Sequence, residues 1–187
     1  MLTCRPMRIE IDAAVMARLY NYTVPEPVTP ETARDWWTLR EGGMKYFVLG
    51  STYVIRLDAG EKIVEALLAL CERDAIGAGF FNGLGAVGEA EIGHFEPSTN
   101  EYGWVRLSGP YEIVSLYGNI TVVAGKPFIH AHVALGDNTF AVRGGHLKEA
   151  VVSVTCEVTL TRFRDDIGRK KDGTTGLWKL ALEPDGD

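Results

Sequence analysis

Beyond residue 45 the chain is a succession of short runs in which apolar and polar residues alternate, separated by glycine-rich and Asp/Asn-rich turns. Alternation with a period of two predicts half-buried strands. Such runs cover residues 46–57, 75–82, 89–96, 101–107, 111–123, 128–135, 140–147, 151–164 and 177–182. One segment breaks the period. Between residues 61 and 73, after a turn over 58–60, Ile63, Ala66, Leu67 and Leu70 recur at three- and four-residue spacing, which predicts a helix with one apolar stripe. About seven to nine strands with one main flanking helix read as an α+β fold on a mostly antiparallel sheet.

Residues 1–43 have a different texture. A helix is expected over 9–20, followed by the Pro-rich stretch PEPVTP as a linker. A second helix is expected with Thr29 as N-cap and Pro30 in its first turn, running through Trp36 and Trp37 until Gly42-Gly43 stops it. The expected organisation is therefore an N-terminal extension over 1–43 and one self-sufficient domain over 44–187, with Met44 as an alternative start of translation.

Composition narrows the class. The chain has 19 Lys and Arg against 25 Asp and Glu, a net charge of −6, so its averaged field repels a phosphate backbone. No run approaches the roughly 20 apolar residues that span a bilayer, which predicts no membrane segment. Cys4, Cys71 and Cys156 form no C-x-x-C pair. They suit neither a disulfide framework nor a cysteine zinc site, and a reducing cytoplasm is the expected location.

Two motifs invite chemistry. GLGAVG, residues 83–88, matches G-x-G-x-x-G, but the following EAEIGHF alternates like a strand, and a phosphate site of that type needs a helix there. A glycine-rich turn between two strands is the reading adopted. His130-Ala131-His132 carries more weight, because it lies within a strand-like run, PFIHAHVAL. Side chains two apart share a face, about 6.6 Å from each other along the strand. His146 follows on the next expected strand, and a hairpin symmetric about Asn138 would set it opposite His130 on the same face, whereas a one-residue slip would reverse its face.

Three of the four histidines thus fall within 17 residues. Converging imidazoles suit Zn²⁺, Ni²⁺ or Fe²⁺ with a position left open for water or substrate. A hydrogen-bonded histidine pair with an unrelated His146 is the other reading. His94 reads as a surface strand residue. Glu112 is a candidate general acid/base, or an acceptor behind a ligand histidine, or a solvated strand-end carboxylate. Arg143 is a candidate for an anionic substrate group, or for a neighbouring acid. Asn82 and Asn119 beside glycines suit turns as well as a site. Arg162, Arg164, Arg169, Lys170 and Lys171 read as a solvated basic tail rather than a nucleic-acid patch.

Taken in order, EKIVEALLALCERDAIGAGFFNGLGAVGEAEIGHF, GPYEIVSLYGNI, GKPFIHAHVALGDNTFAVRGGHL and AVVSVTCEVTL resemble the plants and prokaryotes conserved (PPC) domain in its bacterial form, over residues 46–163. The resemblance implies a sandwich-like α+β sheet with a flanking helix, a homotrimer, and a metal on His130, His132 and His146 near the subunit interface. Plant members carry an AT-hook. CRPMR near the amino terminus lacks that core, so nucleic acid is not an expected partner. A more distant likeness, to acetolactate decarboxylase, is one of fold and of an H-x-H zinc site.

The expected function is that of a cytoplasmic homotrimer whose divalent metal, zinc first, binds or transforms a small anionic ligand. A lyase or hydrolase-type reaction on a small acid, with Glu112 as proton shuttle and Arg143 orienting a carboxylate, is the enzymatic form of that expectation. A DNA-associated or regulatory interaction module with structural histidines is the alternative.

Overall fold

The computed structural model describes residues 39–41 and 44–182. Nine strands and one helix follow each other along it: β1 Leu39–Glu41, β2 Met44–Leu49, β3 Thr52–Asp58, α1 Ile63–Arg73, β4 Gly79–Glu96, β5 Glu101–Val123, β6 Lys126–Gly136, β7 Val142–Arg162, β8 Arg169–Lys171 and β9 Trp178–Leu180. The first seven strands form one antiparallel sheet in the order β1-β2-β3-β7-β4-β5-β6. A further pairing of β6 with β7 makes β4, β5, β6 and β7 close on themselves. β8 and β9 form a separate two-stranded hairpin.

The α+β class and the antiparallel sheet agree with the sequence reading, but several boundaries do not. The run over 46–57 is two strands, because Gly50 takes a left-handed φ of 61° and turns the chain between β2 and β3. The opposite correction applies at GLGAVG. Those residues are the interior of the single strand β4 and not a turn. They contain bulges against β5 and β7, and at Gly85, with φ 143°, a Cβ would collide with the backbone of Thr155 and Cys156.

β5 and β7 likewise each join two expected runs into one long bent strand. Long strands are what the closure requires: β7 pairs with β6 over Val142–His146, with β4 along most of its length, and with β3 over Thr155–Thr161. The helix expected to run to Gly42 is replaced at Leu39–Glu41 by β1, whose backbone pairs with β2. The expected helices and linker over 1–38 lie outside the described residues.

α1 lays Ile63, Leu67, Leu70 and Cys71 onto the sheet, and these pack with Leu57, Phe81, Leu116, Ile120, Leu135, Cys156 and Leu160 in one core. Its first turn has no side-chain cap of its own. Glu149 of β7 supplies one, accepting the N–H groups of Val64 at 2.8 Å and Glu65 at 3.1 Å. A carboxylate there satisfies orphan donors and faces the positive end of the helix dipole. Burial pushes the thiols of Cys71 and Cys156 up to about 12, so both stay protonated, packed as small apolar groups. No helix among the described residues is long and apolar enough to cross a membrane.

At the crossing of β4, β6 and β7, Gly145 pairs with Val133 and sits against the carbonyl oxygen of Gly93, where a Cβ would collide with that backbone atom. Gly145→Ala is expected to cost about 1–3 kcal/mol, the range for overpacking a filled interior, and to lower the melting temperature by several degrees. Gly103→Ala, at a position of β5 with open space around it, is expected to change the melting temperature by a degree or less. Thermal denaturation of both variants checks the contrast.

Candidate metal centre

Strand alternation decides which side chains can meet. On β6, Ala131, Val133 and Leu135 point into the core, which leaves His130 and His132 together on the other face. β7 brings the third histidine. His146 pairs across the ladder with His132, not with His130 as the symmetric hairpin predicts. The connecting loop, residues 137–141, is centred one residue further on. Asp137 holds it, accepting the Thr139 and Ala141 N–H groups at 2.8 and 3.1 Å, while Phe140 adopts a left-handed φ of 64°. The cross-strand partner therefore moves by two residues, an even number, and His146 keeps its expected face.

The result is a cluster in which the nearest ring nitrogens of the three histidines all lie within 4.8 Å of one another. Nε2 of His130 is 3.2 Å from Nδ1 of His146 and 3.3 Å from Nε2 of His132. A tetrahedral ion with metal–nitrogen bonds of about 2.0–2.1 Å holds its ligand nitrogens roughly 3.3 Å apart, so the donor set fits a first-row divalent ion. His130 and His146 are half-buried and His132 is exposed, which leaves one side of the cluster open. Burial, reinforced by the neighbouring imidazoles and Arg169, takes His130 down to about 4. His146 is also lowered, chiefly by burial. Both are neutral near pH 7, the form that ligates a metal.

Beside the cluster lies a cavity of about 600 Å³ whose walls include His130, His146, Tyr102, Trp104, Phe128 and Trp178. Tyr102 stacks on Trp104 at 5.1 Å and meets His146 edge-on at 5.2 Å. Arg169 of β8 also reaches this cavity. Sequence reasoning puts that residue in a solvated basic tail, whereas the structure turns it inward. Its Nε donates to Thr121 Oγ1 at 2.7 Å, Nη2 to Asn119 Oδ1 at 2.6 Å and Nη1 to the Trp178 carbonyl at 2.6 Å. Asn119 lies within β5 rather than in a turn, as the cross-strand partner of His130. Asn82 lies instead in a separate cleft with Lys45, Arg56 and Glu157.

The other candidates are not brought to the histidines within one chain. Glu112 is exposed on β5 opposite Gly136, and no hydrogen bond or ion pair joins it to the cluster. Arg143 is exposed on β7 opposite Leu135, an odd number of residues from His146, and so belongs to the other face of the strand. His94 is an exposed strand residue, as expected.

Comparison with known proteins agrees with this picture. The profile of the Plants and Prokaryotes Conserved (PCC) domain matches residues 44–164. Among solved structures, a metal-containing protein of Archaeoglobus fulgidus is 36% identical with a TM-score of 0.66, over 72% of this chain and 95% of that one. A plant- and prokaryote-conserved protein of Pyrococcus horikoshii is 33% identical with a TM-score of 0.64, over 75% and 97%. A protein of Bacteroides thetaiotaomicron, provisionally named as DNA-binding, is 28% identical with a TM-score of 0.72, over 74% and 96%. The distant likeness to acetolactate decarboxylase is present, at 13% identity and a TM-score of 0.45 for the Bacillus subtilis enzyme, and carries nothing about chemistry. A search of the curated proteins finds no match.

The lowered His130 sets a pH dependence. In the folded, metal-free protein it stays neutral down to about pH 4, whereas in the unfolded chain it takes a proton near its ordinary 6.5. The unfolded state then binds the extra proton, so acid favours unfolding. Melting temperature measured in chelator is expected to fall as pH drops from about 6.5 towards 4, with this contribution levelling off below 4. His130→Asn should show a shallower slope over pH 7 to 5. Equal slopes would mean that His130 is not desolvated as the geometry indicates.

Proposed function

Because the chain belongs to the Plants and Prokaryotes Conserved (PCC) domain family, we propose that it holds a divalent metal, zinc first among the candidates, on His130, His132 and His146 and there binds or transforms a small anionic metabolite. The observation that carries this reading is the convergence of three imidazoles with nitrogens 3.2 and 3.3 Å apart. The name of the Archaeoglobus fulgidus relative, metal-containing, supports it. A bound ion supplies Lewis-acid polarisation of a ligand oxygen or acidification of a water.

The residues of the chain determine what can be bound. Three imidazole ligands bring no negative charge to compensate a divalent ion, and among the described residues no Asp or Glu lines the cavity. The electrostatic balance therefore favours an anion, and the aromatic walls shield it from water.

The homotrimer is part of the same proposal. Val114, Tyr117, Phe140 and Val142 are 61%, 57%, 92% and 56% exposed on β5, β7 and the β6–β7 loop around His132, an apolar concentration suited to subunit contact. Glu112 and Arg143 are near neighbours of Val114 and Val142 in the chain, so their contribution to a site would come through a neighbouring copy. Cytoplasmic placement is supported by the buried, unbridged thiols of Cys71 and Cys156.

A second reading, association with DNA, draws on the provisional name of the Bacteroides relative. The net charge of −6 opposes it, as does the inward turn of Arg169 out of the basic cluster. A gel shift that weakens steeply with salt would favour this reading over the metabolite one.

Elemental analysis of untagged protein prepared without chelator is expected to give close to one transition metal per chain, lost in His130→Ala/His132→Ala. Zinc at a hundred times its dissociation constant should stabilise the wild-type fold by about 2.7 kcal/mol and leave the double variant unmoved. Light scattering is expected to give about three times the 20.5 kDa chain mass. Absence of metal from both proteins after incubation with zinc would leave the histidines structural.

A further inference from the structure

We infer that Arg169 is the anion-binding side chain of this cavity and that the ligand is a carboxylate carrying a flat aromatic body. The inference rests on the small-anion reading above and identifies the group that would recognise the charge. Arg169 lies on the hairpin of β8 and β9, C-terminal to the residues 44–164 that the family profile matches. That hairpin is tied to the sheet by the Val122 N–H donating to the Ile167 carbonyl at 2.8 Å and by the Asn100 side chain donating to the Thr174 carbonyl at 3.2 Å.

The guanidinium is held rigidly without being neutralised. Its three hydrogen bonds end on a hydroxyl, an amide oxygen and a peptide carbonyl, and among the described residues no carboxylate forms an ion pair with it. Of its five N–H donors, two remain. Lys179, the other cation of the cavity wall, is by contrast paired with Asp172 at 2.8 Å. A half-buried, oriented and uncompensated guanidinium is costly unless an anion completes it, and its planar fork matches a carboxylate. Nη2 is bonded to Asn119, the cross-strand partner of His130, which places the fork beside the histidine cluster.

The walls define the rest of the ligand. Tyr102 and Trp104 stack with their planes 18° apart, Trp178 comes from the hairpin, and Phe128 lies under Arg169 with the guanidinium carbon 5.1 Å from the ring centroid. Apart from His130, His146, Arg169 and Lys179, no described residue lining the cavity has a charged, amide or aliphatic hydroxyl side chain. Such a surface holds a ring by stacking and offers little to a polyhydroxylated or amide-rich body. The hairpin therefore contributes both the charge and one aromatic wall.

Phenylacetate and 2-naphthoate serve as probes, titrated by calorimetry into wild-type protein and Arg169→Gln, each loaded with zinc and each in chelator. Wild-type protein is expected to bind at least one probe, with phenylacetamide and acetate at least ten-fold weaker than phenylacetate. Arg169→Gln is expected to lose at least ten-fold in both metal states. Since Arg169 also anchors the hairpin, the wild-type protein gives a second readout: the Arg169 Nε–H resonance should shift on addition of the bound probe. Equal binding by wild type and variant, an unmoved resonance, or no binding of either probe would overturn the assignment. Binding that depends on Arg169 but not on zinc would instead count against the metal reading and leave this one standing.

Discussion

The pairing of β6 with β7 is the contact on which the rest of this structure depends. An open sheet ending at β6 would leave His130 and His132 on an edge strand, with the third histidine elsewhere. Closure places His146 beside His132 and at the same time pairs it with Gly93 of β4. The close approach is possible because Gly144 and Gly145 present no side chain to the backbones of β6 and β4. The residues that allow the strands to meet are thus adjacent to the ligand they deliver.

Electrostatics then sets two parts of the cavity wall apart. Burial and mutual proximity keep His130 and His146 neutral, which suits coordination rather than proton transfer. Beside them, a permanently charged guanidinium is held by neutral acceptors alone. Among the described residues no acid lines the cavity to cancel that charge. The asymmetry distinguishes the site from the surface ion pairs elsewhere on the molecule, such as Lys148 with Glu91, where opposite charges meet in solvent and contribute little.

The two parts of the site come from different stretches of the chain. The histidines sit within residues 44–164 matched by the family profile, whereas Arg169 and Trp178 sit on the hairpin that follows. The histidine cluster and this part of the cavity wall are thus held by separate elements, joined through the hydrogen bonds of Arg169 to β5.

Local pattern was enough for the helix stripe of Ile63, Leu67 and Leu70, for the antiparallel sheet, and for the shared face of His130 and His132, because each depends on side-chain periodicities of a few residues. The same periodicity protected the face of His146 even though its partner was misassigned, since the ladder shifted by an even number. Glycine-rich stretches were misleading: at 83–88 the interruption in pattern reads as a turn, yet the chain continues as a strand, because bulges bend it and bare backbone packs against β7. The sequence by itself thus determined the fold class, the main helix and the histidines that converge. Only the tertiary structure decided that Glu112 and Arg143 stay away from the histidines and that Arg169 comes to them, because the path of a hairpin across a closed sheet is set by long-range backbone pairing that no local period encodes.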